Sequence, residues 1–186
     1  MENFKKEKMT INLVWANIFG ITILIPIVLL YGLPYYLVWN NNLTFNSFDW
    51  LHVKPWINVL CIIAGIVVHE LIHGVVWARY AKNGFQSIKF GVFWKIITPY
   101  CHCKEPLSVK HYILGAIMPA IILGLIPAIL AIVIGNLPLL IFAILFTLVA
   151  GGDFLTVFVL RNENMDTLVE DHPSEAGCYI YRPIEI

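Results

Sequence analysis

Charged side chains are scarce in this sequence. Asp, Glu, Lys and Arg make up 13% of the 186 residues, whereas an ordinary soluble domain carries about 25%. Hydrophobic residues make up 59%, and the mean hydropathy is +0.78. So little charge and so much apolar surface exclude a soluble globular protein and predict an integral membrane protein.

The sequence also lacks a charge imbalance and a disulfide framework. Twelve Lys and Arg balance twelve Asp and Glu, so no nucleic-acid partner is predicted. The cysteines are Cys61, Cys101, Cys103 and Cys178, and they do not form the spaced pairs of a disulfide scaffold. Three of them fall in segments predicted below to be cytoplasmic, where thiols stay reduced.

Four apolar runs are long enough to cross a membrane, for which a helix needs about 20 residues. They cover residues 11–38, 55–78, 112–134 and 137–160. The third and fourth runs are separated by a tight turn at Gly135 and Asn136 and therefore form an antiparallel hairpin. The predicted fold is an all-α membrane protein with about four transmembrane helices, a single domain over residues 1–186 and a tail at 161–186.

Basic residues cluster in alternate loops. They precede the first run, follow the second and follow the fourth: Lys5, Lys6, Lys8, Arg79, Lys82, Lys89, Lys95, Lys104, Lys110 and Arg161. Between the first two runs only Lys54 occurs. Because cytoplasmic loops carry an excess of Lys and Arg, both termini are predicted to be cytoplasmic. The Ile-, Asn- and Lys-rich usage suggests a bacterial cell membrane.

The second run contains the stretch HELIHG, residues 69–74. His69 and His73 are four residues apart and project about 40° from each other, so both imidazoles can reach one ion. Glu70 lies about 100° around the helix from His69, where it can touch a bound water. This is the HExxH pattern, and zinc suits it because zinc accepts imidazole and keeps an open position. The alternative is three polar groups that only hydrogen-bond to neighbouring helices.

The fourth run contains one charged residue, Asp153, which is costly in a membrane unless it pairs or binds an ion. By helical rise, His69 lies about 15 Å and His73 about 9 Å from Arg79. Asp153 lies about 12 Å from Arg161 by the same measure. Both helices exit on the same side, so Asp153 is predicted to be the third metal ligand. The alternative is a hydrogen-bond or salt-bridge partner for a helix end.

The remaining histidines are not assigned to the metal site. His102, which two cysteines flank, is predicted to lie in a loop beside the site. His111 is predicted to be interfacial, and His172 to lie in a solvated turn, with contact to the site as the alternative. His52 is predicted on the far side of the membrane.

The loop over residues 81–110 connects the second and third runs. Apolar residues alternate along it with more polar ones: Ile88, Phe90, Val92 and Trp94. This alternation predicts a cytoplasmic β-hairpin, to which the tail segment 178–181 can add a strand. A strand edge binds extended peptides through main-chain hydrogen bonds, so the hairpin can hold a substrate. The alternative is a hairpin that rests in the lipid headgroups. Pro119 either loosens the third helix near the metal or only kinks it.

Four motifs in this order resemble a known family. HELIHG, PYCHCKEPLS, GGDFL and VEDHPSE are similar to motifs of the bacterial zincin membrane peptidases, a family long described only as a domain of unknown function. The resemblance covers residues 55–181. It implies that His69, His73 and Asp153 bind zinc. It also implies that Glu70 is the general base.

That family in turn resembles the site-2 proteases, which cut proteins at or within the membrane. Two departures stand out. The glycines precede Asp153 instead of following it, and Ile122 stands three residues after Pro119, where those enzymes often carry Asn. The substrate class is therefore not carried over. His111 and Asn162 are the candidates for stabilising an oxyanion.

The predicted function is a zinc-dependent peptidase that hydrolyses a membrane protein or peptide in or near the bilayer. A zinc-binding carrier or sensor is the alternative, although the outer halves of the helices offer no polar path across the membrane. A structural subunit that has lost activity is a third possibility, against which the complete set of HExxH residues argues. The sequence does not predict the oligomeric state.

Overall fold

The computed structural model describes residues 4–10, 13–42, 55–94, 98–172 and 177–183. The helices in this part of the chain are α1 (Leu13–Trp39), α2 (Pro55–Tyr80), α3 (Val109–Pro119), α4 (Ile126–Ile134), α5 (Leu137–Val149) and α6 (Gly151–Leu160). The strands are β1 (Phe4–Thr10), β2 (Ile88–Phe93), β3 (Thr98–Cys103), β4 (Leu107–Ser108), β5 (Leu168–Asp171) and β6 (Gly177–Pro183). His52 lies outside the described residues.

Three helices are long and apolar enough to cross a membrane. They are Ile18–Trp39 within α1, Pro55–Tyr80, and the continuous stretch Val109–Ile134. Helices α5 and α6 are bent by 43° relative to each other and pass the same test together, which gives four spans if the pair counts as one. Large apolar side chains cover the outside of these helices, including Ile21 at 72% and Val133 at 69% exposure. The prediction of about four helices long and apolar enough to cross a membrane is therefore confirmed, if α5 and α6 count as one span.

The third span is not a uniform α-helix. Ala120–Leu125, directly after Pro119, form a π-helical segment before α4 begins. Proline has no N–H to donate and its ring crowds the preceding turn, so the regular hydrogen-bond ladder changes there. Within the segment, a Cβ added at Gly124 would meet Thr147 Oγ1 at 2.1 Å. The missing side chain therefore lets the widened helix approach α5. Of the two alternatives for Pro119, the helix shows the local widening directly after this residue.

A tight turn joins α4 and α5, as the sequence predicts. Gly135 ends α4 with φ +71°, a left-handed conformation that glycine adopts at little cost. The Asn136 side chain then accepts a hydrogen bond from the Leu139 N–H at 2.9 Å and caps α5. These two residues reverse the chain within the apolar region.

The described residues also form two antiparallel sheets. Strands β2 and β3 pair from Ile88↔Cys103 to Phe93↔Thr98, which confirms the predicted hairpin. His102 therefore lies in a strand, and its predicted position in a loop is wrong because the strand pairing extends to Cys103. A second sheet has the order β1–β6–β5–β4. The tail strand predicted at 178–181 exists, but it pairs with β1 and β5 rather than with the hairpin.

The N-terminal and C-terminal strands are neighbours in the larger sheet. They pair from Phe4↔Pro183 to Thr10↔Gly177, and Lys6 Nζ lies 3.1 Å from Glu170 Oε2. A description of the chain as all-α is thus too narrow, since this sheet joins the two ends of the chain on one side of the helix bundle.

A hydrophobic cluster attaches the larger sheet to the bundle. It combines helix residues with strand residues that are all buried: Trp77, Tyr112, Leu160, Val169 and Ile180. Burial of side chains this large contributes about 1.5–3 kcal/mol each. The cluster therefore holds the sheet against the ends of α2, α3 and α6.

Candidate metal centre

One face of α2 is buried at intervals of four residues: Gly65, His69, His73 and Trp77. Residues four apart on a helix lie on the same face, one above the other. Gly65 provides close contact with α5, because a Cβ there would meet Phe146 Cζ at 2.1 Å. The same stripe that packs α2 against its neighbours therefore carries both histidines of the HExxH motif.

Asp153 reaches the two histidines because the fourth span is broken. Helix α5 ends at Val149, and Ala150, with ψ 6°, separates it from α6. Asp153 then lies in the first turn of α6. The partial positive charge at a helix N-terminus favours a carboxylate in this turn. The break thus places an acidic side chain at the start of a helix inside the apolar region.

The three side chains converge on one point. His69 Nε2 lies 3.2 Å from Asp153 Oδ2, and His73 Nε2 lies 3.3 Å from Asp153 Oδ1. The two Nε2 atoms are 3.2 Å apart. Both histidines are 4% exposed, while the Asp153 side chain is 23% exposed. Any opening of the cluster therefore lies on the Asp153 side.

The donor set fits a zinc ion. Imidazole and carboxylate ligands lie about 2.0–2.2 Å from zinc, so two ligands of a tetrahedral site are about 3.3 Å apart. The two imidazole nitrogens are separated by about this distance, and each lies equally close to a different oxygen of Asp153. With one atom taken from each residue, all three lie within 4.8 Å of one another. Two imidazole nitrogens facing each other in a buried position also favour a cation between them. With three protein ligands, a tetrahedral ion keeps one position for a water or a substrate.

The second nitrogen of His73 has a partner that sets its orientation. His73 Nδ1 donates to the Gly115 carbonyl oxygen of α3 at 2.9 Å, which leaves Nε2 to face the cluster. Metal-binding histidines commonly carry such a hydrogen bond on the other nitrogen. His69 differs, since its buried Nδ1 has no hydrogen-bond partner among the described residues. His73 is thus the better supported of the two imidazoles.

Glu70 lies beside the cluster without belonging to it. Its carboxylate interacts electrostatically with His69, His73 and Asp153, and it accepts a hydrogen bond from the backbone N–H of Cys101 in β3. The group that could hold a metal ion consists of the other three residues. The helix position next to His69 and the hairpin strand together hold this carboxylate in place.

Asp171, at the end of β5, connects the tail to the neighbourhood of the site. It accepts hydrogen bonds from Tyr112 Oη and, at 2.8 Å, from the Cys103 backbone N–H. His102 Nδ1 lies 3.7 Å from the same carboxylate. Burial raises the pKa of Asp171 above its ordinary value, against the opposing effect of these partners.

The cysteines beside His102 are held as neutral thiols. Burial raises the pKa of Cys103 to about 11 and that of Cys178 to about 12. It raises the pKa of Cys101 still further. Thiolates are the metal-binding form of cysteine, and these residues do not join the group around His69.

Two other histidines have structural partners. The His111 ring stacks on Tyr80 at 3.9 Å, and its Nδ1 lies 2.9 Å from Ser108 Oγ. His172 is buried and its ring lies 4.8 Å from that of Tyr179. The prediction of a solvated turn at His172 is therefore wrong, because the pairing of β5 with β6 covers the residue.

The profile of a protein family described as "Putative zincin peptidase" matches residues 62–168, more than half of the chain. This protein belongs to that zincin peptidase family. Searches of curated proteins and of solved structures found no match. The matched region contains the HELIHG and GGDFL motifs, whereas the VEDHPSE motif, at residues 169–175, lies beyond it. Asp171 thus lies three residues beyond the end of the match.

Sequence reasoning about this zincin family member missed the residues around the ligands. Gly115, Trp77 and Tyr112 were not singled out, although Trp77 continues the four-residue stripe of α2 beyond His73. The VEDHPSE motif drew attention to His172, while the structure connects Asp171 to Tyr112 instead. In the sequence, the continuation of the four-residue stripe of α2 to Trp77 was the one signal for the residues around the ligands.

Proposed function

We propose that this protein is a zinc-dependent peptidase that cleaves a membrane protein or peptide, with His69, His73 and Asp153 as the metal ligands. The supporting observation is that one ligand atom from each of the three residues lies within 4.8 Å of the other two, with the two imidazole nitrogens 3.2 Å apart. Membership of the zincin peptidase family supports the same conclusion. Zinc bound there would supply an activated water at neutral pH and polarise the scissile carbonyl.

Glu70 is the proposed general base. Its carboxylate oxygen takes a proton from the attacking water and passes it to the amine nitrogen of the departing peptide. Glu70 therefore returns to its ionised form at the end of the reaction. The hydrogen bond from the Cys101 N–H fixes the carboxylate next to the cluster. Such positioned proton transfer contributes about 10²–10⁴-fold to a rate.

The hairpin is the proposed support for the substrate. Lys104 N donates to Ser87 O, and this bond makes the next pair, Ile88 and Cys103, direct their backbone groups away from each other. By the same alternation, the Cys101 N–H points away from β2, and Glu70 accepts from it. This edge already uses the N–H groups of Cys101 and Cys103 for Glu70 and Asp171, and Pro99 has none. The edge proposed to pair with an extended peptide is therefore that of β2, whose one strand partner among the described residues is β3.

The proposed location is the cell membrane, with the sheet on the cytoplasmic side. The pairing of β1 with β6 supports the prediction that both termini lie on the same side. The basic loops counted in the sequence support the cytoplasm as that side. The helices described above supply the apolar length.

Replacement of the base tests the function. Glu70→Gln should retain zinc and lose cleavage by about 10²–10⁴-fold, whereas Asp153→Ala should lose zinc as well. Zinc content is measured on the purified protein, and cleavage by comparing membrane-protein fragments in cells that carry each variant. Asp166→Asn is the control, since Asp166 is exposed and pairs with Lys110.

Two outcomes would contradict the proposal. Unchanged fragments in the Glu70→Gln cells would remove Glu70 as the base. Zinc flux into proteoliposomes that is the same for the wild type and for Glu70→Gln, together with unchanged fragments, would instead support a carrier.

A further inference from the structure

A column of stacked rings leads from the metal cluster to the C-terminal tail. The His73 ring stacks on Trp77 at 5.0 Å, and Trp77 stacks on Tyr112 at 5.2 Å, each with an interplanar angle of 17°. Trp77 Nε1 also donates to the Tyr112 carbonyl at 3.1 Å. The column ends where Tyr112 Oη donates to Asp171 Oδ1.

The far end of the column is itself anchored. Asp171 Oδ2 accepts from the Cys103 N–H at 2.8 Å, so both carboxylate oxygens are engaged by different elements. Asp171 also pairs with Cys178 of β6 within the sheet. Its carboxylate is therefore fixed relative to α3, to the hairpin and to the strands that carry both chain ends.

We propose that Asp171, acting through Tyr112 and Trp77, is a positioning residue that fixes the orientation of the His73 imidazole. The inference rests on the proposed function, because it requires His73 to be a metal ligand. It assigns a role in the metal site to a tail residue outside the region that matches the family.

The contacts of His73 explain why this link matters. The imidazole is held by the Trp77 ring on its face and by the Gly115 carbonyl at Nδ1. Gly115 is three residues after Tyr112 on α3, so both contacts depend on how this turn is placed. Gly115 is packed tightly against Trp77, because a Cβ at Gly115 would meet Trp77 Nε1 at 2.0 Å.

His69 cannot compensate for a loss of this support. Its Nδ1 has no partner among the described residues, so the orientation of the paired imidazoles depends mainly on His73. Outer groups that orient metal-bound histidines typically contribute 10–100-fold to metal affinity. The inference therefore predicts an effect on metal binding itself, apart from any effect on hydrolysis.

The larger sheet offers a matched control. Tyr181 Oη donates to Glu170 just as Tyr112 Oη donates to Asp171. Glu170 and Asp171 are adjacent strand residues, whose side chains point to opposite faces of the sheet. The Tyr181–Glu170 pair thus has the same chemistry in the same sheet without a connection to His73.

The experiment compares Tyr112→Phe and Asp171→Ala with Tyr181→Phe in the full-length protein in detergent. Co²⁺ serves as the probe: its visible absorption spectrum reports ligand geometry, and competition with a chelator gives the affinity. Tyr112→Phe and Asp171→Ala should each weaken Co²⁺ binding by about 10-fold or more and change the spectrum. The double variant should fall no further than the single ones, since both changes remove the hydrogen bond between Tyr112 and residue 171.

The outcomes separate the inference from the proposed function. A wild-type spectrum and affinity in Tyr112→Phe would overturn the positioning role, as would an equal loss in Tyr181→Phe. If the wild type itself binds no Co²⁺ while His73→Ala behaves identically, the proposed metal site fails and the inference fails with it. Thermal unfolding of the metal-free variants checks that Tyr112→Phe, which keeps the ring, retains the fold.

Discussion

The two ends of the helix bundle use similar residues for different purposes. At the end next to the sheet, rings of His73, Trp77 and Tyr112 stack in a column. At the opposite end, Tyr35 and Trp39 of α1 are packed in a separate cluster with α4 and α5. At both ends, aromatic side chains with a polar atom, the Tyr hydroxyl or the Trp ring N–H, are packed among apolar residues. The two ends differ in the groups that these polar atoms contact.

At the opposite end, the polar atoms of the aromatic side chains donate hydrogen bonds to backbone carbonyls. Tyr35 Oη donates to the Gly135 carbonyl at 2.9 Å, and Trp39 Nε1 donates to the Ile132 carbonyl at 2.8 Å. These are carbonyls at the C-terminus of α4, which have no partner inside the helix. The aromatic residues there complete the turn between α4 and α5, and the backbone groups that accept their hydrogen bonds do not ionise.

At the sheet end the polar contacts lead to ionisable groups. The column connects the His73 imidazole with the Asp171 carboxylate. The comparison shows that a buried aromatic residue with a polar tip is structural when its partner is a helix carbonyl. It becomes a candidate for function when its partners include a metal-ligating side chain.

Loss of a ligand should give the largest difference between the two ends. His73→Ala removes one of three donors and leaves the Gly115 carbonyl without its partner. We expect metal affinity to fall by more than about 100-fold, since loss of an outer partner alone costs 10–100-fold. Equilibrium dialysis against buffered zinc measures the affinity. Retention of wild-type affinity would remove His73 from the ligand set.

Two glycines of the third span allow the same change, one at the ring column and one at the contact with α5. A Cβ at Gly115 would meet Trp77 Nε1 at 2.0 Å, and one at Gly124 would meet Thr147 Oγ1 at 2.1 Å. Gly115→Ala and Gly124→Ala should each destabilise the fold by about 1–3 kcal/mol through overpacking. Only Gly115→Ala should also weaken zinc binding, because Trp77 supports His73. Thermal unfolding with and without zinc distinguishes the two, and equal zinc affinities would contradict the comparison.

Removal of one hydroxyl at the opposite end should have a smaller effect. Tyr35→Phe leaves the Gly135 carbonyl without its donor and should cost about 1 kcal/mol of stability. Zinc affinity should stay unchanged because, within the described part of the chain, the contacts of Tyr35 are with the cluster around α4 and α5 and not with the metal cluster. A change in zinc affinity, measured in parallel with His73→Ala, would show that the two ends are coupled.

The smallest expected effect is a pH dependence of the stability of β1, the edge strand of the larger sheet. A hydrogen bond from Lys5, together with the charge of Arg182, holds the pKa of Glu7 below its ordinary value despite burial. The stabilisation is therefore present above the ordinary pKa of glutamate, about 4.3. It is lost as the pH falls through the lowered folded-state pKa.

Hydrogen exchange of the β1 amides, corrected for intrinsic rates, measures this loss. Exchange should accelerate on acidification in the wild type, while Glu7→Gln should show a smaller pH dependence. The α4–α5 turn at Gly135 and Asn136 carries no titratable side chain and provides the internal reference. An identical pH dependence in both proteins would exclude a contribution from Glu7.

Sequence patterns were sufficient to predict the features that depend on neighbouring residues only. Apolar length predicted the spans, the spacing of His69 and His73 predicted a shared helix face, and Gly135 with Asn136 predicted the turn. The strand alternation between Ile88 and Trp94 predicted the hairpin. Strand β1 could not be predicted in the same way, because its partner in the sheet lies at the other end of the chain.

The sequence by itself determined that this chain has runs long and apolar enough to cross a membrane, an HExxH motif on one helix face and one acidic residue in its last apolar run. The sequence predicted, from equal depth, that the acid meets the imidazoles, and the tertiary structure shows that this contact depends on the break at Ala150 and on the packing of α6. Only the tertiary structure joined Asp171 to His73 through two rings. Hydrophobic length and helical period are properties of neighbouring residues, whereas contacts between distant segments depend on the packing of the whole chain.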